Sequence, residues 1–267
     1  MADFIKVTDD LGREVNIPFP PQRIIPAVPS TTEFLFDLEL EGKVISRTKF
    51  CRYPKGKIEK LPNIGGPKNL YVDKINLLNP DLILVNEEEN NKAQVEALME
   101  DFPVYVSKVR NYEDALQNIL NIGKITGTEP KAFEITNKIR AAFAKIPKST
   151  KPIKVLYLIW RNPFMGVGKN SFINSMLEMC GFVNILPDPQ ERYPNLTAEE
   201  IKELNPELVL LSSEPYPFEE ANIKEIRDIL PNAKIELADG EMFSWYESHM
   251  LQAADYFINL IKKIKAE

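Results

Sequence analysis

The sequence contains an internal echo that decides its fold class. Residues 73–86 read Asp-Lys-Ile-Asn-Leu-Leu-Asn-Pro-Asp-Leu-Ile-Leu-Val-Asn, and residues 199–212 read Glu-Glu-Ile-Lys-Glu-Leu-Asn-Pro-Glu-Leu-Val-Leu-Leu-Ser. With the two Asn-Pro steps aligned, six of the fourteen positions are identical and both acidic positions keep their charge. Each copy predicts a short helix that ends before proline, then a buried strand and a polar loop. One echo is too little for a solenoid, so it predicts two lobes of related architecture.

The segments around each copy alternate between strand and helix patterns. In the first half, residues 23–28 predict a strand, and the Ser-Thr-Thr-Glu sequence at residues 30–33 matches a capping box that begins a helix. In the second half, residues 153–159 predict a strand, and residues 171–179 predict a helix that ends near Gly181. Such alternation indicates an α/β fold with a parallel sheet in each lobe.

A helical connector is predicted between the halves, because residues 112–146 are almost entirely helical in pattern. Its second part begins at Thr128-Glu129-Pro130, where proline suits a first helical turn. The connector lacks the Gly/Ser-rich composition of a flexible hinge, so we expect it to be stiff. The predicted organisation is an N-terminal lobe (1–127), a connecting backbone helix (128–150) and a C-terminal lobe (151–267) that finishes with a helix at about 248–265.

Composition and charge exclude several classes of function. The 267 residues are 44% hydrophobic and 27% charged, and 33 basic against 39 acidic side chains give a net charge of −6. Without a basic excess, we expect no nucleic-acid partner. Cys51 and Cys180 lie far apart and form no Cys-x-x-Cys pair, and the single histidine, His249, cannot build a metal site with several histidine ligands.

The N-terminus and the hydropathy pattern bear on localisation. No apolar run approaches the length of a membrane span. The first residues, Met1-Ala2-Asp3-Phe4, lack the basic and apolar regions of a signal peptide. We therefore expect either a cytoplasmic protein or an envelope protein whose signal lies outside this sequence.

Common enzyme signatures are missing from the sequence. There is no G-x-S-x-G nucleophile elbow, and the glycines at 166 and 168 lack the Walker pattern because Pro163 and Asn170 replace its glycine and hydroxyl residue. An enzyme that uses acidic residues stays open at this point, because 39 carboxylates single out no pair.

Aromatic and arginine side chains concentrate in loops after the predicted strands. In open α/β sheets, ligands bind beyond the carboxyl ends of the strands. Aromatic faces supply stacking area and guanidinium groups pair with carboxylates, so these loops suit a large, flat or anionic ligand. The alternative is that the aromatics only cover the edge of each core. The candidate ligand-binding residues are Phe50, Cys51, Arg52, Tyr53, Gly66, Trp160, Arg161, Phe164, Arg192, Tyr193, Phe243, Trp245 and Tyr246.

Asp73 and Glu199 occupy equivalent positions in the two copies of the echo. Acidic residues stabilise the first turn of a helix, which explains them without any function. However, Thr197 and Glu200 already form a predicted capping box, which leaves Glu199 free to point outward. The functional interpretation is a matched pair of surface carboxylates, one per lobe, presented to a two-fold partner.

Several motifs together resemble the class III periplasmic binding proteins of the iron-complex and cobalamin type. They are Asp-Asp-Leu-Gly-Arg-Glu-Val at 9–15, Pro-Pro-Gln-Arg-Ile-Ile at 20–25, Pro-Ser-Thr-Thr-Glu at 29–33, and Leu-Asn-Pro-Asp-Leu-Ile at 78–83 with its echo. The form with Trp-Arg-Asn-Pro at 160–163 and Phe-Ser-Trp-Tyr at 243–246 is similar to the helical-backbone metal receptors of that superfamily.

This resemblance implies two Rossmann-like lobes with parallel sheets, joined by a long rigid backbone helix. It implies a monomeric solute-binding protein, not an enzyme, that holds a metal complex (cobalamin, haem or a ferric siderophore) in the inter-lobe cleft. It also implies an ABC importer whose permease dimer receives Asp73 and Glu199, although Asp73 is one methylene shorter than the glutamate usual there.

The resemblance further implies a location in the periplasm or on a lipid anchor, and no tightly bound cofactor. Cys51 or Tyr53 could supply one axial ligand to the metal, although a small apolar cysteine is the commoner case. The alternative function is a cytoplasmic metallocofactor-handling enzyme or carrier on the same fold.

Overall fold

The computed structural model describes residues 3–148, 151–187 and 191–266, and these form two compact units. The first unit contains the described residues up to Val109, together with Glu113–Arg140 and Trp245–Met250. The second unit contains Arg110–Tyr112, the described residues from Ala141 to Ser244, and those from Leu251 onward. A short segment from late in the chain, Trp245–Met250, therefore belongs to the first unit.

The first half of the chain supplies the strands and helices of the first unit. In chain order they are β1 (Asp3–Thr8), β2 (Glu14–Phe19), β3 (Ile24–Pro26), α1 (Pro29–Asp37), a 3₁₀ turn (Ile58–Lys60), β4 (Gly65–Gly66), β5 (Asn69–Leu70), α2 (Val72–Leu78), β6 (Leu82–Asn86), α3 (Lys92–Met99), β7 (Val104–Ser107), α4 (Tyr112–Thr126) and α5 (Glu129–Phe143).

The central sheet of the first unit is parallel, with strand order β3-β6-β7. All five residues of β6 and all four of β7 are buried. Such unbroken burial is expected for parallel strands that are covered on both faces. Ile25, Ile83 and Val104 belong to the apolar core around this sheet, and Ile75 of α2 packs into it.

The second half of the chain continues with the elements of the second unit. They are β8 (Ile153–Trp160), β9 (Phe164–Gly166), α6 (Phe172–Met179), β10 (Phe182–Asn184), β11 (Asn195–Leu196), α7 (Ala198–Leu204), β12 (Leu208–Ser212), α8 (Glu220–Ile229), β13 (Lys234–Ala238), α9 (Gly240–Ser244), a 3₁₀ turn of the first unit (Glu247–His249) and α10 (Met250–Ala266).

The sheet of the second unit has the order β11-β9-β8-β12-β13, and β10 also pairs with β8. Strands β10, β8, β12 and β13 run parallel, whereas β9 pairs antiparallel with both of its neighbours, β8 and β11. Val209 and Leu211 of β12 and Ile201 of α7 belong to its core. The predicted α/β class, with a parallel sheet in each half, is confirmed.

The two copies of the echo adopt the same local structure. Helices α2 and α7 both end at an asparagine in the left-handed region, with φ of 45° at Asn79 and 46° at Asn205, and the next residue is proline. Asparagine tolerates this conformation, and proline prevents the helix from continuing. The helices begin differently, because Thr197 forms a capping box with Glu200 whereas Tyr71 makes no side-chain cap on α2.

The predicted capping box at residues 30–33 is wrong. Helix α1 begins at Pro29, its N-cap is Val28, and no side chain caps it. Proline suits a first helical turn, so the helix starts early and the Ser-Thr-Thr-Glu sequence lies inside it, where all four residues are buried. The predicted ends of α6 are confirmed, since Ser171 caps it and Gly181 follows it with a φ of 75°.

The connecting segment consists of two helices of fifteen residues each, α4 and α5. Gly127 separates them in a left-handed conformation, with φ of 72°. The helix expected over residues 128–150 is therefore shorter, because α5 ends at Phe143, and residues 149–150 lie outside the described residues. Among the described residues, no helix has the length and apolar content needed to cross a membrane.

Candidate functional site

The loops predicted to bind a ligand follow the carboxyl ends of parallel strands within each unit. In the first unit, Val44 pairs in parallel with Ile24 of β3, so the chain from Val44 to the loop at residues 50–53 runs in the direction of β3. In the second unit, Trp160 ends β8 and the loop that begins at Ser213 follows β12. These are the edges at which α/β proteins place their ligands.

The first unit brings three rings together at this edge, and we call Tyr53, Trp245 and His249 the aromatic triad. The ring centroids of Tyr53 and Trp245 are 6.1 Å apart in an edge-to-face arrangement. His249 lies 5.8 Å from Tyr53 and 5.0 Å from Trp245. Tyr53 is half-buried, whereas the other two rings are buried. Tyr53 therefore provides the accessible part of the triad.

The imidazole of the triad forms a buried pair with a carboxylate of α1. His249 Nδ1 lies 2.8 Å from Glu33 Oε2, and the side chains are 1% and 11% exposed. The geometry assigns a proton to Nδ1, which donates to the carboxylate. The other ring nitrogen, Nε2, is buried and has no hydrogen-bond partner among the described residues.

A second buried carboxylate lies next to the triad in the 3₁₀ turn. Glu247 Oε1 accepts hydrogen bonds from Thr31 Oγ1 and Asn118 Nδ2, each at 2.9 Å. Burial raises the pKa of Glu247 from an ordinary value of 4.5 to about 8, although the hydroxyls of Thr31 and Ser30 lower it. These bonds fix the segment that carries Trp245 to α1 and α4.

Cys51 is buried rather than presented to a ligand. Its thiol donates to Thr32 Oγ1 at 3.2 Å and lies 3.3 Å from Thr48 Oγ1. Burial raises the pKa of Cys51 above its ordinary value of 9.0. The thiolate is the metal-binding form of cysteine, so these contacts support a structural role.

The rest of the loop in the first unit is more exposed. Phe50 is 53% exposed, with the Lys49 ammonium 4.7 Å from its ring centroid, and Arg52 is exposed. A Cβ at Gly66 would lie 3.0 Å from Lys49 Cε and 3.2 Å from the Phe50 ring. Glycine at position 66 thus permits the close approach of the Lys49 and Phe50 side chains.

In the second unit, Trp160 is the accessible aromatic residue. It is 40% exposed, and its ring packs edge-to-face on Tyr216 with centroids 5.8 Å apart. Arg161 forms an ion pair with Glu225, with 2.7 Å between Nε and Oε2. Trp160 and Tyr216 form an aromatic surface at the ends of β8 and β12.

Other candidates in the second half contribute mainly to packing. Phe243 has no exposed surface and packs on Tyr157 and Phe257, with centroids 5.1 Å and 4.8 Å away, so it belongs to the core. Phe164 packs against the core of the second unit. These two residues therefore follow the alternative interpretation, in which the aromatic side chains cover the core and do not present a ligand surface.

The remaining candidates are half-buried or buried. Tyr246, in the first unit, is 3% exposed. Arg192 and Tyr193 are half-buried, and the Arg192 carbonyl oxygen accepts a hydrogen bond from the Gly168 amide at 2.7 Å. Tyr246 therefore offers little surface to a ligand.

Three residues at these edges were not among the predicted site residues. Tyr216 lies only four residues beyond the end of β12, so the reasoning that selected Trp160 could have found it. Glu33 and Glu247 had no such signal, because each is 216 residues from its partner in the sequence. Only the tertiary structure brings those pairs together.

The two predicted docking carboxylates are both exposed. Asp73 lies in the first turn of α2, and Glu199 lies in the first turn of α7. The Thr197–Glu200 capping box satisfies the start of α7, with 2.7 Å between Thr197 N and Glu200 Oε2. As predicted, Glu199 is not needed for the cap.

Comparison with known proteins identifies the family. Residues 24–230 match the protein family described as "Periplasmic binding protein". The match covers more than half of the chain, so the chain belongs to this family. The predicted resemblance to binding proteins is confirmed, and the family gives no support to the cytoplasmic enzyme alternative.

Individual relatives agree with this assignment. An uncharacterised ABC transporter substrate-binding lipoprotein of Bacillus subtilis, YvrC, is 28% identical over 218 residues, covering 77% of this chain and 68% of the relative. The crystal structure of the periplasmic vitamin B12-binding protein BtuF of Vibrio cholerae superimposes with a TM-score of 0.77 at 21% identity, covering 94% of this chain and all of the other. The periplasmic haem-binding protein RhuT of Roseiflexus sp. RS-1 gives 0.76 at 19% identity, with coverages of 92% and 98%.

Proposed function

We propose that this chain is the substrate-binding component of an ABC importer and that its ligand is a metal held in an organic chelate, as in cobalamin, haem or a ferric siderophore. The observation that carries the proposal is the position of accessible aromatic residues at the carboxyl edges of both parallel sheets in a chain of this family. The printed functions of the similar structures, vitamin B12 binding and haem binding, support the same ligand class.

The side chains present suit a preformed complex better than a bare metal ion. Among the described residues, no group of three or more His, Cys, Asp or Glu side chains could hold a metal ion. A bare transition-metal ion requires such a group, because the protein must supply most of its ligands. A chelate brings its own ligands, and it asks the protein mainly for stacking surface and hydrogen bonds.

Specific residues would contact such a ligand in each unit. Phe50 and Tyr53 of the first unit and Trp160 of the second offer ring surface for stacking. The exposed Arg52 would pair with a carboxylate or phosphate of the ligand. Cys51 is excluded from this set by its buried, hydrogen-bonded thiol.

Thermal unfolding in the presence of candidate ligands tests the ligand class. Cyanocobalamin, haemin and ferrichrome would each be added in excess, with free Fe³⁺ and Co²⁺ as controls. A ligand that binds only the folded state at about 100 times its Kd adds roughly 2.7 kcal/mol to the free energy of unfolding. We expect one chelate to raise Tm by several degrees and the free ions to leave it unchanged; no shift with any chelate would contradict the proposal.

The permease partner is also part of the proposal. Asp73 and Glu199 are exposed carboxylates at matching positions of α2 and α7, which suits a two-fold partner with one cationic group per half. Such a protein works as a single copy at the cell envelope, in the periplasm or on a lipid anchor. The substrate-binding lipoprotein among its relatives supports this location.

A double variant tests the docking role. Asp73→Ala with Glu199→Ala should keep ligand affinity but lose stimulation of the permease ATPase in proteoliposomes. The matched control is Glu96→Ala with Glu220→Ala, which removes two acidic side chains from α3 and α8. Equal stimulation by both double variants, or loss of ligand affinity in the first, would refute the docking role.

A further inference from the structure

A buried polar cluster holds the Trp245–Met250 segment within the first unit. Glu247 accepts hydrogen bonds from Thr31 and Asn118, and His249 Nδ1 bonds to Glu33. The partners lie on α1 and α4, 129 to 216 residues earlier in the chain. The segment therefore depends on side-chain bonds for its position, and it carries Trp245.

The two ring nitrogens of His249 have different environments. Nδ1 bonds to Glu33 at 2.8 Å, whereas Nε2 is buried without a partner among the described residues. This arrangement favours a ring that carries its proton on Nδ1. Protonation of Nε2 would create a buried N–H with no acceptor in the described structure, which is costly unless the ring moves.

The imidazole ring is packed directly against the aromatic residues. Its centroid lies 5.0 Å from that of Trp245, inclined by 51°, and 5.8 Å from that of Tyr53, inclined by 36°. A ring movement of His249 would therefore displace Tyr53 or Trp245. Tyr53 is the member of the triad with accessible surface.

We propose that His249 and Glu33 form a positioning pair that sets the orientation of Tyr53 and Trp245, and that ligand binding by the first unit depends on this pair. The proposal rests on the proposed function for its ligand. It assigns to the single histidine a role behind the binding surface instead of a role as metal ligand.

Other charged groups lie near the pair. Asp37 of α1 faces both Glu33 and His249, and Lys131 of α5 faces Asp37. Glu247 lies two residues before His249, and Glu89 faces it. The Lys55 ammonium lies 5.9 Å from the Tyr53 ring centroid. The substitutions used to test the pair leave all of these groups in place.

The pair can be tested first without ligand or substitution. His249 is the only histidine, so ring-¹⁵N labelling reports its tautomer and charge directly by NMR. We expect the ring to carry its proton on Nδ1, which lies 2.8 Å from Glu33 Oε2. An Nε2–H tautomer would overturn the proposal, because Nδ1 could not then donate to Glu33.

Coupling to the aromatic residues is tested by fluorescence. The Trp160→Phe variant leaves Trp245 as the sole tryptophan, and its ring packs on His249. Adding Glu33→Gln, which keeps an oxygen acceptor for Nδ1, should leave the Trp245 emission close to that of Trp160→Phe, whereas adding Glu33→Ala should shift it. Equal emission from the two double variants would overturn the proposal.

The last arm measures affinity for whichever of cyanocobalamin, haemin or ferrichrome binds. His249→Gln, which can still donate to Glu33, should bind nearly as tightly as the wild type, whereas His249→Ala should bind about tenfold more weakly. Equal affinities of the two variants refute the pair. Absence of binding by any chelate refutes the proposed function instead, and the NMR and fluorescence results would then decide the pair.

Discussion

Glu247 combines a buried carboxyl group with an unusual backbone. Its side chain is fully buried and its φ is 62°, in the region that favours glycine. Because burial raises its pKa to about 8, the folded protein holds a proton there that the unfolded chain releases above its ordinary value of 4.5. The free energy of unfolding should therefore fall as the pH rises from about 4.5 to about 8.

The Glu247→Gln variant should remove this loss of stability. The glutamine oxygen can accept the same bonds from Thr31 and Asn118, and it carries no charge at any pH. Relative to the wild type, we expect a gain on the order of 4 kcal/mol at about pH 8 and less than about 1 kcal/mol at about pH 5, measured by denaturant unfolding. Parallel pH profiles for the two proteins would show that Glu247 does not titrate in this range.

The buried thiol of Cys51 gives a second prediction about a single residue. Because burial raises its pKa and two threonine hydroxyls contact it, the thiol should react with a disulfide reagent only after unfolding. Both cysteines should react rapidly in denaturant, and neither should react in the native protein at about pH 8. Rapid reaction of Cys51 in the native protein would restore it as a candidate axial ligand.

Site residues whose type and local position indicate their role can be predicted from the sequence. Tyr53 and Trp160 are aromatic residues that follow predicted strands, and both are partly accessible. Phe243 met the same criterion but lies in the core, since a short helix, α9, turns its ring inward onto Tyr157. Residue type and position cannot distinguish an outward from an inward ring when the intervening structure is a single turn.

At the scale of elements, the helices of the echo share their C-terminal ends and differ at their N-termini. The Asn-Pro step determines the ends in both copies, so that part of the fold could be predicted from sequence. The start of α1 could not be predicted in the same way, because the helix could begin either at Pro29 or at a capping box formed by the polar residues after it. The Glu33 side chain, which a capping box would have used, instead bonds to His249 of the 3₁₀ turn.

The capping box of α7 should contribute measurably to stability. In Thr197→Ala, the Glu200 amide loses its side-chain acceptor, which should cost about 1 kcal/mol in the free energy of unfolding. Thr197→Ser keeps the hydroxyl and is the matched control. A cost shared equally by both variants would point to lost methyl packing rather than to capping.

At the scale of the whole molecule, both units carry parallel sheets, and one copy of the echo lies in each unit. The sequence could not predict that Trp245–Met250 packs within the first unit, because this segment lies more than 100 residues after the rest of that unit. That segment carries Trp245 and the buried polar residues Glu247 and His249, whereas Tyr53 and Trp160 provide accessible aromatic surface.

The most direct test of the account is equilibrium dialysis in which the metal and its chelator are counted separately. The protein would be dialysed against cyanocobalamin, haemin, ferrichrome and the corresponding free ions, and the retained metal would be measured by mass spectrometry. We predict that one complex is retained intact, with one metal and one chelator per chain, and that no free ion is retained. Retention of a bare ion, or of none of the complexes, would contradict the proposal that the ligand is a metal chelate.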